Sequence, residues 1–80
     1  MDRIDTVRVF AGVVKRSSFS QTARDLSLPR STVTEAVRQI EEQMSVKLLE
    51  RTTQMVRATP EGLAYYERCR AILTSFDRLA

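Results

Sequence analysis

The clearest helix in the sequence lies in residues 28–44, which read LPRSTVTEAVRQIEEQM. Its apolar residues recur at i, i+3, i+4, i+7 and i+11 and so share one stripe of a helix: Val33, Ala36, Val37, Ile40 and Met44. Pro29 suits the start, because its missing N–H costs nothing there. The side chains nearly opposite the stripe are polar: Ser31, Glu35, Arg38 and Glu42, with Arg30 and Thr34 on the flank. The pattern predicts an amphipathic helix over about residues 30–43.

Two shorter helices are predicted before this one. Apolar residues at helical spacing predict a helix over residues 3–15, which Asp2 and Asp5 can begin by capping and by their charge. The turn-forming run SSFS at residues 17–20 ends it and offers N-caps to a short helix over residues 21–27. Leu28-Pro29 then breaks the chain, since the residue before proline is disfavoured in the α region.

The chain changes character after residue 46. Residues 47–58 are predicted to form two short extended segments around a polar turn. Thr59-Pro60-Glu61 then supplies a cap, a proline and an acid for a helix that runs to near Ala80. The order predicts a mainly α fold: a winged helix-turn-helix of three helices and a short β-hairpin wing, then a long C-terminal linker helix. We expect residues 1–59 to form the winged domain and residues 60–80 the linker helix for dimerisation.

Composition excludes several classes of protein. The 80 residues suffice for one small domain. Without histidine and with one cysteine, Cys69, the chain lacks the residues for a Cys/His zinc site, an internal disulfide or a recognisable nucleophile–base pair. We therefore expect no metal, no cofactor and no enzyme activity. No apolar run reaches the roughly 18–20 residues of a membrane span, and a lone thiol suits a reducing cytoplasm. The net charge of +3, carried mainly by arginine, favours an anionic partner.

The polar face of residues 30–42 admits two interpretations. It can be a solvated helix face, as most polar stripes are, or a recognition helix in a DNA major groove. The second role needs groups that read base edges near the helix N-terminus, with phosphate donors at the margins. Arg30 or Arg38 can bridge guanine O6 and N7, and Glu35 can accept from cytosine N4. The hydroxyls of Ser31 and Thr34 suit a base or a phosphate.

The serines before the second helix and the cations of the hairpin are open to similar alternatives. Ser17, Ser18 and Ser20 can cap the helix, contact a phosphate or do both. Lys47, Arg51 and Arg57 can be solvated. On a wing beside a recognition helix they would instead touch phosphates or enter the minor groove.

The final helix carries an apolar pattern of a different kind. Five residues alternate in steps of four and three, as in a heptad seam: Tyr65, Cys69, Ile72, Phe76 and Leu79. Another flank can cover the domain's own core through Leu63, Tyr66 and Leu73. Two apolar aspects predict a homodimer through the seam, and the alternative is that both pack internally. Cys69 is expected to be an apolar packing residue rather than a reactive thiol.

Five segments together resemble a known family. They are SFSQTA at residues 18–23, LPRSTVT at 28–34, Ile40-Glu41, VKLLERTT at 46–53 and TPEG at 59–62. In this order they are similar to the N-terminal DNA-binding region of LysR-type transcriptional regulators, over essentially the whole chain. The resemblance implies a bacterial, cytoplasmic, nucleoid-associated regulator that binds an interrupted palindrome of double-stranded DNA as a dimer, with higher oligomers in full-length members. Members usually continue into an effector-binding domain, so we expect a module of a longer protein.

The resemblance also implies which residues contact DNA. By position, the family's base and phosphate contacts map onto Arg30, Ser31, Thr34, Glu35 and Arg38, with wing contacts at Arg51, Gln54 and Arg57. The full predicted DNA-binding set also contains Ser18, Ser20, Thr32, Lys47 and Thr52. Three positions depart from the family pattern. Glu35 stands where a basic or amide side chain is common, and Gln54 where arginine is frequent. Met44-Ser45 replaces a frequent Leu-Gly, whose glycine most easily adopts a left-handed cap.

Two hypotheses of function follow. The first is sequence-specific DNA binding as a homodimer. The second is a helical protein-interaction module that acts through residues 60–80. Substitutions of the wing arginines discriminate between them, because only the first hypothesis predicts an effect on binding.

Overall fold

The computed structural model describes residues 1–52 and 55–79, and its elements follow the predicted order. In the described residues the helices and strands are α1 (Arg3–Arg16), α2 (Phe19–Leu26), α3 (Arg30–Met44), β1 (Leu49–Arg51), β2 (Val56–Ala58) and α4 (Pro60–Leu79). The two strands pair antiparallel, with Leu49 opposite Ala58 and Arg51 opposite Val56. This is the predicted winged helix-turn-helix with a long C-terminal helix.

Side-chain caps fix where the first helices begin. Asp2 accepts a hydrogen bond from the Asp5 amide at 2.9 Å, and the Ser18 hydroxyl accepts one from the Gln21 amide at 3.0 Å. Because Ser18 is the cap, α2 begins at Phe19 rather than at the predicted residue 21, and it ends one residue early. Pro29 lies just outside α3 in an extended conformation, with ψ of 144°, and not in its first turn.

Serines in the left-handed conformation end the first three helices. Ser17, Ser27 and Ser45 have φ of 51°, 56° and 53°. After α3, the amides of Ser45 and Val46 donate to the carbonyls of Glu42 and Glu41, each at 3.2 Å. The turn that lacks the family's glycine therefore closes in the usual way, with a serine in the glycine's place.

The core is built by all four helices and the base of the hairpin. Its largest fully buried apolar side chains are Val9, Phe10, Val13, Val33, Val37, Leu48, Leu49 and Cys69. The stripe predicted on α3 faces this core as far as Ile40. Met44 is an exception and the prediction for it was wrong: it is 43% exposed, because it ends α3 beyond the turns that the core covers.

The long helix α4 packs against α1 and shares the core. The rings of Phe10 and Tyr65 meet edge to face with centroids 5.1 Å apart. Near the end of α4, the Arg8 guanidinium pairs with the Asp77 carboxylate at 2.6 Å and lies over the Phe76 ring. None of the described helices is both long and apolar enough to cross a lipid bilayer.

Gly62 lies where α4 closely approaches the base of the hairpin. A Cβ built on this residue would lie 1.9 Å from the Leu48 carbonyl oxygen, which is backbone and cannot swing away. Only glycine allows α4 to begin this close to the base of the wing.

Candidate nucleic-acid interface

A shallow groove brings together the start of α2, the start of α3 and the wing. Its volume is about 180 Å³, and its lining residues are Ser17, Ser18, Phe19, Ser20, Arg30, Thr52, Met55 and Val56. Four of them, Ser18, Ser20, Arg30 and Thr52, belong to the predicted DNA-binding set. The fold thus places hydroxyls and a guanidinium from three separate segments on one surface.

The serines at this groove have different local roles. The Ser18 hydroxyl caps α2, and the Ser18 carbonyl accepts from the Thr22 hydroxyl at 2.8 Å. Ser20 is exposed. The capping interpretation is therefore confirmed for Ser18 and wrong for Ser20, which lies inside α2; phosphate contact by Ser18 or Ser20 stays a prediction.

The outward face of α3 carries an ion-pair cluster centred on Arg38. The Arg38 guanidinium donates to Glu35 at 2.6 Å and also to Glu42. Gln39 donates to the same Glu35 carboxylate at 3.3 Å. Hydrogen bonds from Arg38 lower the pKa of Glu35, and the two carboxylates raise the pKa of Arg38. The Arg38 guanidinium is thus held by two carboxylates on the exposed face of α3.

The two flanks of α3 face different surroundings. On the flank toward the wing, the Thr34 hydroxyl donates to the Arg30 carbonyl at 3.0 Å. Thr32 lies two residues after Arg30 and hence about 200° around the helix. With Ser31, it lines a separate recess of about 520 Å³ beside Met1. Thr32 is therefore on the α1 side of α3, apart from the groove.

The wing carries its predicted residues in three distinct settings. The Arg51 guanidinium lies over the Phe19 ring, 4.4 Å from the centroid, and so joins the wing to the start of α2. The Thr52 hydroxyl accepts from the Met55 amide at 3.0 Å and closes the end of the hairpin. Lys47 and Arg57 are exposed. Gln54 lies outside the described residues.

Two residues that hold this surface together were missed as functional in the sequence. Phe19 supplies the platform for Arg51, and one carboxylate oxygen of Glu41 accepts from the amides of Leu48 at 2.8 Å and Leu49 at 3.1 Å. The Glu41 contact spans the turn between α3 and β1, whereas the Phe19–Arg51 contact joins segments that are 32 residues apart. The only sequence signal was their place in two of the five resemblance segments, since helical periodicity says nothing about such contacts.

Only part of the predicted seam of α4 packs against the core. Cys69 is 2% exposed, and burial raises the pKa of its thiol to about 11. Burial also raises the pKa of Tyr65, which packs on Phe10. Cys69 thus belongs to the interior of the chain, and Tyr65 is half-buried against its core. The remaining three are exposed: Ile72 by 50%, Phe76 by 44% and Leu79 by 86%. We call these three residues the α4 stripe.

The flank predicted to cover the core is correct only in part. Tyr66 and Leu73 pack against the core, whereas Leu63 is exposed. Leu63 is nine residues from Ile72 and therefore on the opposite side of the helix from the α4 stripe. Gly62 takes the inward position at this end of α4.

Comparison with known proteins identifies the family. Residues 4–63 match the family described as bacterial regulatory helix-turn-helix protein, lysR family. The chain belongs to the LysR family. It corresponds to the N-terminal DNA-binding region of LysR regulators, as the sequence predicted. The LysR family consists of transcription regulators and not of enzymes, in agreement with the prediction that the chain has no catalytic function.

LysR relatives and solved structures agree with this assignment. The chain is 37% identical over 79 residues to the HTH-type transcriptional regulator YhjC of Escherichia coli (strain K12), an alignment that covers 99% of this chain and 26% of YhjC. The chain thus spans about a quarter of that relative's length. Two complexes of the BenM DNA-binding domain, with catB site 1 DNA and benA site 1 DNA, have TM-scores of 0.91 and 0.89. Both are 29% identical to this chain and cover 99% of it, and this chain covers 87% and 91% of theirs.

Proposed function

We propose that this LysR-family chain binds double-stranded DNA sequence-specifically as a homodimer. α3 enters the major groove, and the wing contacts the backbone or the minor groove. Two such units occupy an interrupted palindrome. The observation that carries the proposal is the groove between α2, α3 and the wing, which gathers Ser18, Ser20, Arg30 and Thr52 on one surface. The likeness to BenM domains solved with DNA supports it.

The charges near this groove favour DNA over other anions. Arg30 is exposed at the first turn of α3, where it can reach a base edge, and Arg57 is exposed on β2. Helix N-termini add backbone donors to such a surface. Base readers flanked by phosphate donors are the arrangement that sequence-specific binding requires.

The α4 stripe supports the dimer. Ile72, Phe76 and Leu79 are exposed apolar side chains on a helix whose Cys69 is buried and whose Tyr66 and Leu73 pack against the core. A second copy of α4 would cover them, with residues 60–80 as the dimerisation helix and residues 1–59 as the DNA-binding domain. The working location is the bacterial cytoplasm, where the DNA lies.

The α4 stripe also favours a second candidate function, a protein-interaction module that needs no DNA. The two candidates differ at the wing. Under the second, Arg57→Ala changes nothing, while Ile72→Glu or Phe76→Glu abolishes the activity.

The decisive experiment is selection of bound sites from a random pool of DNA duplexes, followed by a salt titration on the selected site. We expect a two-fold-related consensus, and an affinity that falls steeply as salt rises. Arg57→Ala should lower the slope of log affinity against log salt by about one. Arg78→Ala removes the same charge from α4 and should leave the slope unchanged. Affinity that is indifferent to salt contradicts DNA binding.

A further inference from the structure

The base of the wing is held from two sides. From α3, one oxygen of the Glu41 carboxylate accepts hydrogen bonds from the amides of Leu48 and Leu49, at 2.8 and 3.1 Å. From the start of α4, the Thr59 hydroxyl donates to the Lys47 carbonyl at 2.7 Å, and the Thr59 amide donates to the Leu48 carbonyl at 3.0 Å. The backbone just before β1 is therefore fixed to both neighbouring helices.

Glu41 lies on the wing side of the recognition helix. It is eleven residues, or about three turns, after Arg30 and on the same side of α3. Its own carbonyl accepts from the Val46 amide at 3.2 Å, across the turn that ends the helix. The side of α3 that bears Arg30 at one end thus bears, at the other end, the carboxylate that anchors the wing.

The wing needs such an anchor for its orientation. Its strands are three residues each, and an isolated two-stranded hairpin is marginally stable at best. Hydrogen bonds between a carboxylate and backbone amides are among the stronger ones in proteins, because the acceptor is charged. Glu41 supplies two of them where the wing begins.

We infer that Glu41 is a positioning residue for DNA binding, which sets the orientation of the wing relative to α3. The inference rests on the proposed function. It makes a prediction with an unusual sign, because removal of a negative charge from a DNA-binding protein ordinarily strengthens its binding. Here the loss of the Glu41 carboxylate weakens binding, since the wing no longer meets the DNA while α3 lies in the groove.

The first test compares Glu41→Gln, Glu41→Ala and the control Glu67→Gln on the selected duplex. Glu41→Gln and Glu67→Gln change the net charge equally, but Glu67 is on α4, where it pairs with Arg70. We expect Glu41→Ala to lower the affinity about tenfold and Glu41→Gln to lower it less, because the amide oxygen still accepts. Glu67→Gln should bind as tightly as wild type or more tightly. Tighter binding by both Glu41 variants would overturn the inference.

The second test separates positioning from loss of folded protein. Arg57→Ala is measured in the wild-type and Glu41→Ala backgrounds, with the folded fraction of each variant determined by urea unfolding. We expect Arg57→Ala to lower the affinity severalfold in wild type and hardly at all with Glu41→Ala, because a displaced wing has no contact left to lose. An unchanged Arg57 effect in folded Glu41→Ala contradicts positioning.

A third measurement tests the inference even if the Glu41→Ala chain does not fold. In Glu41→Gln, hydrogen exchange at the Leu48 and Leu49 amides should accelerate relative to wild type, together with a loss of affinity. Wild-type exchange rates and wild-type affinity would overturn the inference. If the wild-type chain itself selects no duplex, the proposed function fails and this inference with it. If the wild-type chain does select a duplex and the Glu41 variants bind it with undiminished affinity, only this inference fails.

Discussion

The two longest helices of the chain differ in how far their apolar residues are buried. α3 buries its apolar stripe within the chain, apart from Met44 at its end, and turns a polar face outward. α4 buries Cys69 and leaves Ile72, Phe76 and Leu79 exposed. An uncovered polar face suits a partner rich in donors and acceptors, whereas an uncovered apolar face suits another apolar surface. Under the proposed function, α3 therefore meets DNA and α4 meets a second copy.

The largest expected effect comes from a charge on the α4 stripe. Ile72→Glu places an unpaired carboxylate in the dimer interface, which is strongly unfavourable. We expect the dimer to dissociate and the affinity for a duplex with two half-sites to fall about a hundredfold, because the two units no longer bind together. Sedimentation equilibrium and binding isotherms measure both effects.

The control for this change is Thr74→Glu, which adds the same side chain about 200° around the helix. It should leave the dimer intact. If the dimer survives Ile72→Glu, or dissociates equally with Thr74→Glu, the α4 stripe is not the dimer interface.

The same substitution on both helices tests the difference in burial directly. Ile40→Ala on α3 removes a buried side chain and should lower the free energy of unfolding by about 2–5 kcal/mol. Ile72→Ala on α4 should change it by no more than about 0.5 kcal/mol, since that side chain is half exposed in one chain. Urea unfolding at a concentration where the monomer dominates measures both values. Equal losses would contradict the contrast between the helices.

A smaller effect is expected from matched arginines. Arg38 pairs with Glu35 at 2.6 Å on α3, and Arg70 pairs with Glu67 at 3.0 Å on α4, each with the glutamate three residues earlier. Arg38→Ala should weaken binding to the selected duplex by about 1–3 kcal/mol and weaken binding to a scrambled one less. Arg70→Ala should change neither. Equal losses on the two duplexes would demote Arg38 from base reader to phosphate contact.

The smallest effect concerns pH and the Glu35 carboxylate. Because Arg38 lowers the folded-state pKa of Glu35 below its ordinary 4.5, the pair stabilises the fold above that pH. The contribution disappears as the pH falls through the folded pKa. Glu35→Gln should therefore flatten the loss of stability below about pH 4.5, and its exposure keeps the change small. Thermal unfolding between pH 2 and 7 measures it, with Glu67→Gln as a control that retains the Glu35 dependence.

The helices and the faces of α3 could be predicted because they follow from local rules. Periodicity placed Val33, Val37 and Ile40 inward, and turn formers placed the breaks near Ser17 and Pro29. The order of elements then led to the winged fold. Such signals lie within a few residues of the structure that they determine.

The division of the seam on α4 could not be predicted in this way. Cys69 and Phe76 are seven residues apart and lie within about 20° of each other around the helix. Nevertheless Cys69 is buried and Phe76 is not. Spacing gives the angular position of a side chain, but its depth depends on where α1 crosses α4. The contacts of Glu41 and Arg51 with other segments depend likewise on the packed fold.

The three serines that end α1, α2 and α3 make the chain less stable to heat than glycine would at the same positions. A residue other than glycine in the left-handed region carries a conformational penalty of about 1–2 kcal/mol, and glycine avoids it at a smaller loss from the greater freedom of the unfolded chain. Each serine-to-glycine substitution, at residue 17, 27 or 45, should raise the free energy of unfolding by about 0.5–1 kcal/mol. Only Ser17 among them lines the groove. Heat resistance can therefore be raised at two turns, Ser27 and Ser45, without a change to the groove.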